Sequence, residues 1–229
     1  MRKVPMDKRL IPLAATALTA LVLTALPASA SAGSFTADCE TGGSCEGTVA
    51  GSTSSLVNSK GEEIKCTGTS GTAIFASGSS LGSLKLTFTG CKETVTIFHF
   101  LCSNTMTEGK IETNTMATEN VYIEPNHETP GILVTGAFVT FNCIGFGKKT
   151  VTGNIIAHIS APNCGSFQST HTVTFPTIGA GQQQYRQVTT SGTQYDLISN
   201  PDDGSTYLTT AYLGTLTTSY SGNKVKLTC

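Results

Sequence analysis

The chain has 229 residues, of which 38% are hydrophobic and only 13% are charged. Four of the 14 basic and one of the 15 acidic residues lie in 1–32, so residues 33–229 carry 10 basic and 14 acidic side chains, a net charge of −4. This acidic balance gives no electrostatic reason to bind nucleic acid or an anionic membrane surface. We therefore expect no nucleic-acid partner.

Residues 1–32 have the pattern of a secretory signal peptide. Its basic start contains Arg2, Lys3, Lys8 and Arg9. The run Leu10–Leu26 is apolar and uncharged, and "ASASA" at 28–32 offers small-residue cleavage sites. We expect export, with the mature protein in the medium or on the cell envelope. The alternative is an uncleaved membrane anchor, because the apolar run just reaches the length that spans a bilayer.

Residues 33–63 are rich in glycine, serine and threonine and contain few large apolar residues. This composition predicts a flexible lead that carries one small disulfide loop. We expect a single β domain over 64–229. Two smaller β domains that meet near Pro162–Gly179 are the alternative.

Residues 33–229 contain 35 threonines and 24 glycines, a composition that favours strands and turns over helices. Apolar residues recur at every second position in several segments. The clearest series are Leu84, Leu86 and Phe88; Val139 and Phe141; Ile155, Ala157 and Ile159; and Val225 and Leu227. Turn clusters such as "ASGSSLGS" and "IGFGKK" separate them. The sequence therefore predicts an all-β fold, an antiparallel β-sandwich or barrel-like domain stapled by disulfides.

All eight cysteines lie in 33–229, and an even number in an exported chain predicts four disulfides. Spacing makes Cys39–Cys45 and Cys91–Cys102 plausible short loops. The remaining pairs are then expected to be Cys66–Cys143 and Cys164–Cys229. No C-x-x-C pair occurs, so we expect neither a zinc site nor a thiol redox site, and no cofactor.

Three patterns could indicate catalysis, and each has a simpler interpretation. "GSSLG" at 78–82 places Ser80 in a G-x-S-x-G motif, but a strand follows where a nucleophile elbow needs a helix. The adjacent acidic pairs, Glu62–Glu63 and Asp202–Asp203, lie in turn-like sequence. His99 is expected to be partly buried and bonded to the backbone. We therefore assign no catalytic residue and no metal ligand.

Five of the six tyrosines fall in the last 45 residues, near several glutamines and Arg186. Tyrosines beside amides form surfaces that suit polar, uncharged ligands such as sugars, and protein partners. We identify Tyr185, Arg186 and Tyr195 as the candidate ligand-binding patch. The simpler interpretation is that these tyrosines are half-buried strand residues.

Four stretches follow one another between residues 64 and 163: "KCTGTSG", "LTFTGCK", "GKIETNTMATENVYI" and "TGNIIAHISAPN". Together with "GQQQYRQV" and "LTTAYLGTLTTSYSGNKVKL" they resemble a large group of exported, β-rich actinobacterial proteins with no assigned function. The resemblance implies export and the fold class, and it transfers no catalytic residue. We expect a non-catalytic exported protein that binds a protein or polysaccharide of the envelope. A small extracellular hydrolase is the alternative, and membrane attachment is expected only if the N-terminal segment is uncleaved.

Overall fold

The computed structural model describes residues 33–95, 97–123, 129–160, 163–188, 193–201 and 207–229. The expected signal peptide and the Asp202–Asp203 pair lie outside these residues. The described residues form 19 strands and contain no helix. This part of the chain therefore has no helix that could cross a membrane. The all-β prediction is confirmed.

The first seven strands are β1 (Ala37–Cys39), β2 (Ser44–Gly51), β3 (Ser54–Asn58), β4 (Glu63–Cys66), β5 (Gly68–Ala76), β6 (Leu81–Thr89) and β7 (Lys92–Val95). The next six are β8 (Phe98–Ser103), β9 (Ile111–Glu112), β10 (Met116–Ile123), β11 (Thr129–Cys143), β12 (Gly147–Ser160) and β13 (Phe167–Gln168). The last six are β14 (Thr170–Phe175), β15 (Thr177–Gly179), β16 (Gln182–Gln183), β17 (Leu197–Pro201), β18 (Leu208–Ser219) and β19 (Val225–Leu227).

The main sheet closes on itself twice, through antiparallel pairs alone. The first ring runs β14–β18–β2–β5–β6–β10–β11–β12 and returns to β14. The second ring runs β17–β18–β3–β4–β7–β8–β11–β12 and returns to β17. A separate small sheet has the order β1–β19–β13.

Three long strands, β11, β12 and β18, belong to both rings. They contain 15, 14 and 12 residues, long enough for their two halves to pair with different neighbours. In β18, residues 208–213 pair with β3 and β17, whereas residues 214–219 pair with β2 and β14. Closure of the sheet fits the barrel-like form of the prediction better than two open sheets.

One hydrophobic core fills both rings. Phe75 and Leu84 of the first ring belong to the same buried cluster as Ile64 and Phe141 of the second. Residues of the small sheet, including Ala37, belong to the same cluster. Apolar residues at alternate positions point into this core, as the period-2 patterns predict.

The segment 33–63 differs from the flexible lead expected from its composition. It contributes β1, β2 and β3. Strand β2 is part of the first ring, where it pairs with β5 on one side and with β18 on the other. Its glycines have a packing role, because a Cβ on Gly47 would lie 2.3 Å from the Thr218 side chain and one on Gly51 would lie 2.7 Å from that of Leu216. The glycines let neighbouring side chains lie against the strand, which composition alone does not distinguish from a loose loop.

The structure pairs Cys39–Cys45, Cys66–Cys91, Cys102–Cys143 and Cys164–Cys229. The first and last pairs confirm the prediction, whereas the expected pairs Cys91–Cys102 and Cys66–Cys143 are wrong. Strand register is the reason. Cys102 lies opposite Cys143 in the β8–β11 ladder, and the pairing of Lys65 with Lys92 brings Cys66 opposite Cys91. Loop length was the wrong criterion, because the register decides which side chains meet.

Candidate functional site

The predicted patch of Tyr185, Arg186 and Tyr195 lies on two short segments that face each other. The backbone N–H of Tyr195 donates to the carbonyl of Arg186 at 2.7 Å, and an isolated bridge joins Gln187 to Gln194. The structure thus brings the three predicted residues together. Their role in ligand binding stays a prediction.

Each residue of this patch also has a partner within the protein. Arg186 donates two hydrogen bonds to Asp196, at 2.7 and 2.5 Å, and this bonding raises the pKa of the guanidinium. Tyr185 and Tyr195 pack, partly buried, against a second hydrophobic cluster formed by β10, β11 and β12 and by Val188. The cluster consists of Val121, Ile123, Leu133, Ile156 and Val188. The patch therefore serves first as a cover over this small core.

The sequence patterns that could indicate catalysis are placed in structural roles. Ser80 lies in the turn between β5 and β6, where its carbonyl accepts a hydrogen bond from the N–H of Asn120. Strand β6 begins at the next residue, so the strand-to-helix elbow is absent at this position. Glu62 accepts a hydrogen bond from Asn58 at 2.7 Å and Glu63 accepts one from Ser55 at 2.5 Å.

Three histidines lie within the described residues, in different surroundings. His99 is exposed and its Nδ1 lies 3.0 Å from the Thr94 hydroxyl, so the expectation of a partly buried, backbone-bonded side chain is wrong. His171 is buried against the ring of Tyr220, 5.7 Å between centroids, and burial lowers its pKa to about 4. Burial also lowers the pKa of His158.

Sequence reasoning missed a buried ion pair. Glu93 is only 1% exposed, and its carboxylate accepts a hydrogen bond from Lys149. The same carboxylate lies close to Cys102 and Cys143. Because these cysteines are joined in a disulfide, their sulfurs are not free thiolates that could bind a metal ion. The period-2 alternation of β7 places Glu93 on the inward face. This alternation was the sequence feature from which its burial could have been predicted.

A cavity of about 100 Å³ lies in the core at the centre of β11. Its walls are almost wholly apolar and include Leu86, Ile111, Met116, Val139 and Tyr212. An unfilled cavity of this size lowers the free energy of unfolding by roughly 2 kcal/mol. Burial raises the pKa of Tyr212, and the neighbouring hydroxyls of Ser54 and Thr69 act in the opposite direction.

Exposed apolar side chains gather at the tips of two neighbouring hairpins, β7–β8 and β11–β12. This hairpin-tip cluster consists of the exposed Ile97, Phe98, Ile144 and Phe146 together with the half-buried Phe100. The rings of Phe98 and Phe100 are 6.4 Å apart, and those of Phe100 and Phe146 are 4.7 Å apart. Ile97 is 81% exposed and Phe98 is 61% exposed. Contiguous exposed apolar surface of this kind marks interaction sites in soluble proteins.

The two hairpins that carry this cluster are held together behind it. The N–H of Ile144 donates to the carbonyl of Leu101 at 3.0 Å. The Cys102–Cys143 disulfide joins β8 to β11 one residue further from the tips. The Glu93–Lys149 ion pair links β7 to β12 close by. The aromatic side chains therefore stand on a braced support, which lowers the entropy lost on binding.

Comparison of the chain with family models, with curated proteins and with solved structures finds no match in any of the three.

Proposed function

We propose that this is an exported, non-catalytic β-domain protein that binds a protein of the cell envelope through its hairpin-tip cluster. The observation that supports the proposal best is a row of three contacting phenylalanines on two braced hairpins, in which Phe98 and Phe146 are exposed on either side of the half-buried Phe100. Aromatic side chains, phenylalanine among them, are enriched in protein interfaces relative to the rest of the surface. A protein partner is favoured over a polysaccharide, because the hairpin-tip cluster is apolar. The patch that would suit a sugar already packs, through Tyr185 and Tyr195, against the second hydrophobic cluster.

Export is supported by the cysteines. All eight cysteines of the chain are joined in disulfides, a state typical of an oxidising compartment. Intact-mass spectrometry of the protein from its producing cells, before and after reduction, tests this point. A species that begins near Gly33 and gains eight hydrogens on reduction is expected in the medium or the envelope fraction. A full-length species in the membrane fraction would support the uncleaved anchor instead.

Binding is tested with purified protein and isolated envelopes from the producing cells. We expect the wild type to be retained on the envelopes, and protease treatment of the envelopes to abolish retention. The double variant Phe98→Ser/Phe146→Ser should lose retention while unfolding as cooperatively as the wild type. Tyr207→Ser is the matched control, because Tyr207 is 64% exposed and lies outside the cluster.

Two outcomes would contradict the proposal. Retention of the double variant at the wild-type level would show that the hairpin-tip cluster does not bind the envelope. Retention that survives protease treatment and disappears when the glycan is digested would identify a polysaccharide ligand. In that case the alanine variants of Tyr185, Arg186 and Tyr195 become the informative set, since retention should fall in them if their patch binds sugar.

A further inference from the structure

Two concavities adjoin at the middle of β11. One is the apolar core cavity of about 100 Å³, and the other is an open groove of about 360 Å³ on the protein surface. Thr113, Phe138 and Val139 line both. The remaining walls of the groove are polar and consist of Asn104, Thr105, Glu112, Asn114 and Thr140.

The wall between the two concavities is an irregular part of the sheet. The register between β11 and β12 shifts between Val134 and Ala137, and Gly136 there has a φ of 70°. The Asn114 side chain donates to the carbonyl of Gly136 at 2.8 Å and accepts from the N–H of Phe138 at 2.9 Å. One amide side chain thus occupies the edge where a neighbouring strand would pair. Bulges of this kind are frequent beside binding sites, where they redirect a side chain.

Phe138 is the side chain that this bulge redirects. It is 55% exposed although it borders the apolar cavity. Because this exposed ring lines both the apolar cavity and the open groove, a change of its rotamer is the proposed route between them. Exposed rotamers exchange on a timescale of nanoseconds or faster, so the connection would open without unfolding of the sheet.

The chemistry of the two spaces differs in a way that specifies a ligand. The cavity offers apolar contact, so it suits an alkyl chain. The groove offers the Glu112 carboxylate, which accepts from Lys110 at 2.6 Å and retains further lone pairs. It also offers the Thr140 hydroxyl, which lies 2.9 Å from the hydroxyl of Thr150 and retains a further lone pair. None of the residues that line the groove is a lysine or an arginine. It therefore suits a head group that donates hydroxyl hydrogen bonds and disfavours an anion.

We propose that these concavities form a binding site for a small amphiphile, with a short alkyl tail in the cavity and an uncharged, hydroxyl-bearing head group in the groove. A cavity of about 150 Å³ holds the six carbons of benzene, so this cavity of about 100 Å³ accommodates a tail of roughly four carbons. Phe138 separates the two parts of the site and moves aside when the tail enters. The site does not depend on the hairpin-tip cluster having a partner.

The first experiment titrates the disulfide-bonded protein with glucose and with ethyl, butyl and hexyl β-glucoside. Affinity should rise about fourfold for each added methylene until the tail fills the cavity. The methyl resonances of Ile111 and Met116, which line the cavity, should shift with butyl and hexyl glucoside and stay unchanged with glucose. Equal affinity for glucose and hexyl glucoside, or unshifted methyl resonances at saturation, would overturn the proposal.

A second experiment fills the cavity. Ala137 lines it, so Ala137→Leu should displace tail methylenes and weaken hexyl glucoside binding by about tenfold or more. Ala76→Leu makes the same change at an exposed position of β5 and should bind as the wild type does. Unchanged binding by a folded Ala137→Leu variant would contradict the proposal. If that variant does not fold, the chain-length series in the wild type decides.

The head group is tested with hexanoate, which keeps the tail and replaces the sugar with a carboxylate. Hexanoate should bind at least several-fold more weakly than hexyl glucoside, because the residues that line the groove supply no cation for it. Binding as tight as that of hexyl glucoside would show that the groove does not select an uncharged head group.

Discussion

Glu93 on β7 and Lys149 on β12 form a buried ion pair between strands that are not neighbours in the second ring. Glu93 is 1% exposed. Lys149 also lies 3.7 Å from the more exposed carboxylate of Glu62. The pair therefore joins two walls of the ring close to the hairpins that carry the hairpin-tip cluster.

Lys149→Met is expected to lower the free energy of unfolding by about 3 kcal/mol, because it leaves the Glu93 charge buried without its partner. The double variant Glu93→Gln/Lys149→Met should recover most of this loss, since no charge remains buried. Lys110→Met removes a half-exposed pair with Glu112 and should cost less than about 1 kcal/mol. Urea denaturation measures all three. Equal losses for Lys149→Met and Lys110→Met would show that the Glu93 pair is solvated.

The disulfides are expected to contribute unequally to stability. Cys164–Cys229 closes a loop with a sequence separation of 65, and Cys39–Cys45 closes one with a separation of 6. In the loop-entropy model, replacing the longer pair with alanines costs about 4 kcal/mol, whereas replacing the shorter pair costs about 2 kcal/mol. Urea denaturation of the two double variants tests the order. A larger loss for the shorter loop would mean that native-state contacts, and not loop closure, dominate.

The connectivity itself is tested by peptide mapping without reduction. We expect linked peptides that contain Cys66 with Cys91 and Cys102 with Cys143. Both the structure and the expected map place Cys91 and Cys102 in different disulfides. A peptide that joins Cys91 to Cys102 would contradict the register of β8 against β11.

His171 should make the protein less stable in mild acid. Its folded pKa is about 4, below the ordinary value of 6.5, because burial disfavours the charged ring. The unfolded chain therefore binds a proton first, so the stabilisation is complete above pH 6.5 and is lost as the pH falls toward 4. The loss is on the order of 3 kcal/mol at most. Thermal unfolding between these pH values measures it.

The control for this pH effect is His171→Phe, which keeps a ring against Tyr220 and removes the titrating nitrogen atoms. Its stability should fall less steeply with pH than that of the wild type. Parallel curves for the two proteins would assign the acid sensitivity to carboxylates elsewhere.

Arg186→Met should lower the free energy of unfolding by about 1 kcal/mol, since the bidentate pair with Asp196 is only partly buried. Tyr195→Ala should cost more, because Tyr195 packs against the second hydrophobic cluster. Chemical denaturation gives both values. If Tyr195→Ala is as stable as the wild type, the packing of Tyr195 does not stabilise the fold, and a binding role is favoured.

The sequence predicts the fold class well and the pairing of its parts poorly. Alternation assigns the inward faces of β6, β12 and β19 correctly, because a buried face repeats every second residue. Register and ring closure depend on contacts between distant residues such as Cys102 and Cys143, which no local pattern encodes. The same limit explains why β2 was expected to be flexible. Its glycines are required by contacts with Thr218 and Leu216, which lie near the other end of the sequence. The bulge at Gly136 and the cavity beside it were likewise beyond local inference.

The sharing of β18 between the two rings has a consequence for the order of folding. This strand, near the C-terminus, pairs with β2 and β3 near the N-terminus and so closes both rings. Contacts of such sequence separation form late and slowly. Until β18 docks, each ring is an open sheet with unpaired edges, which is a form prone to aggregation. Neither ring can therefore close before the last long strand is available to pair.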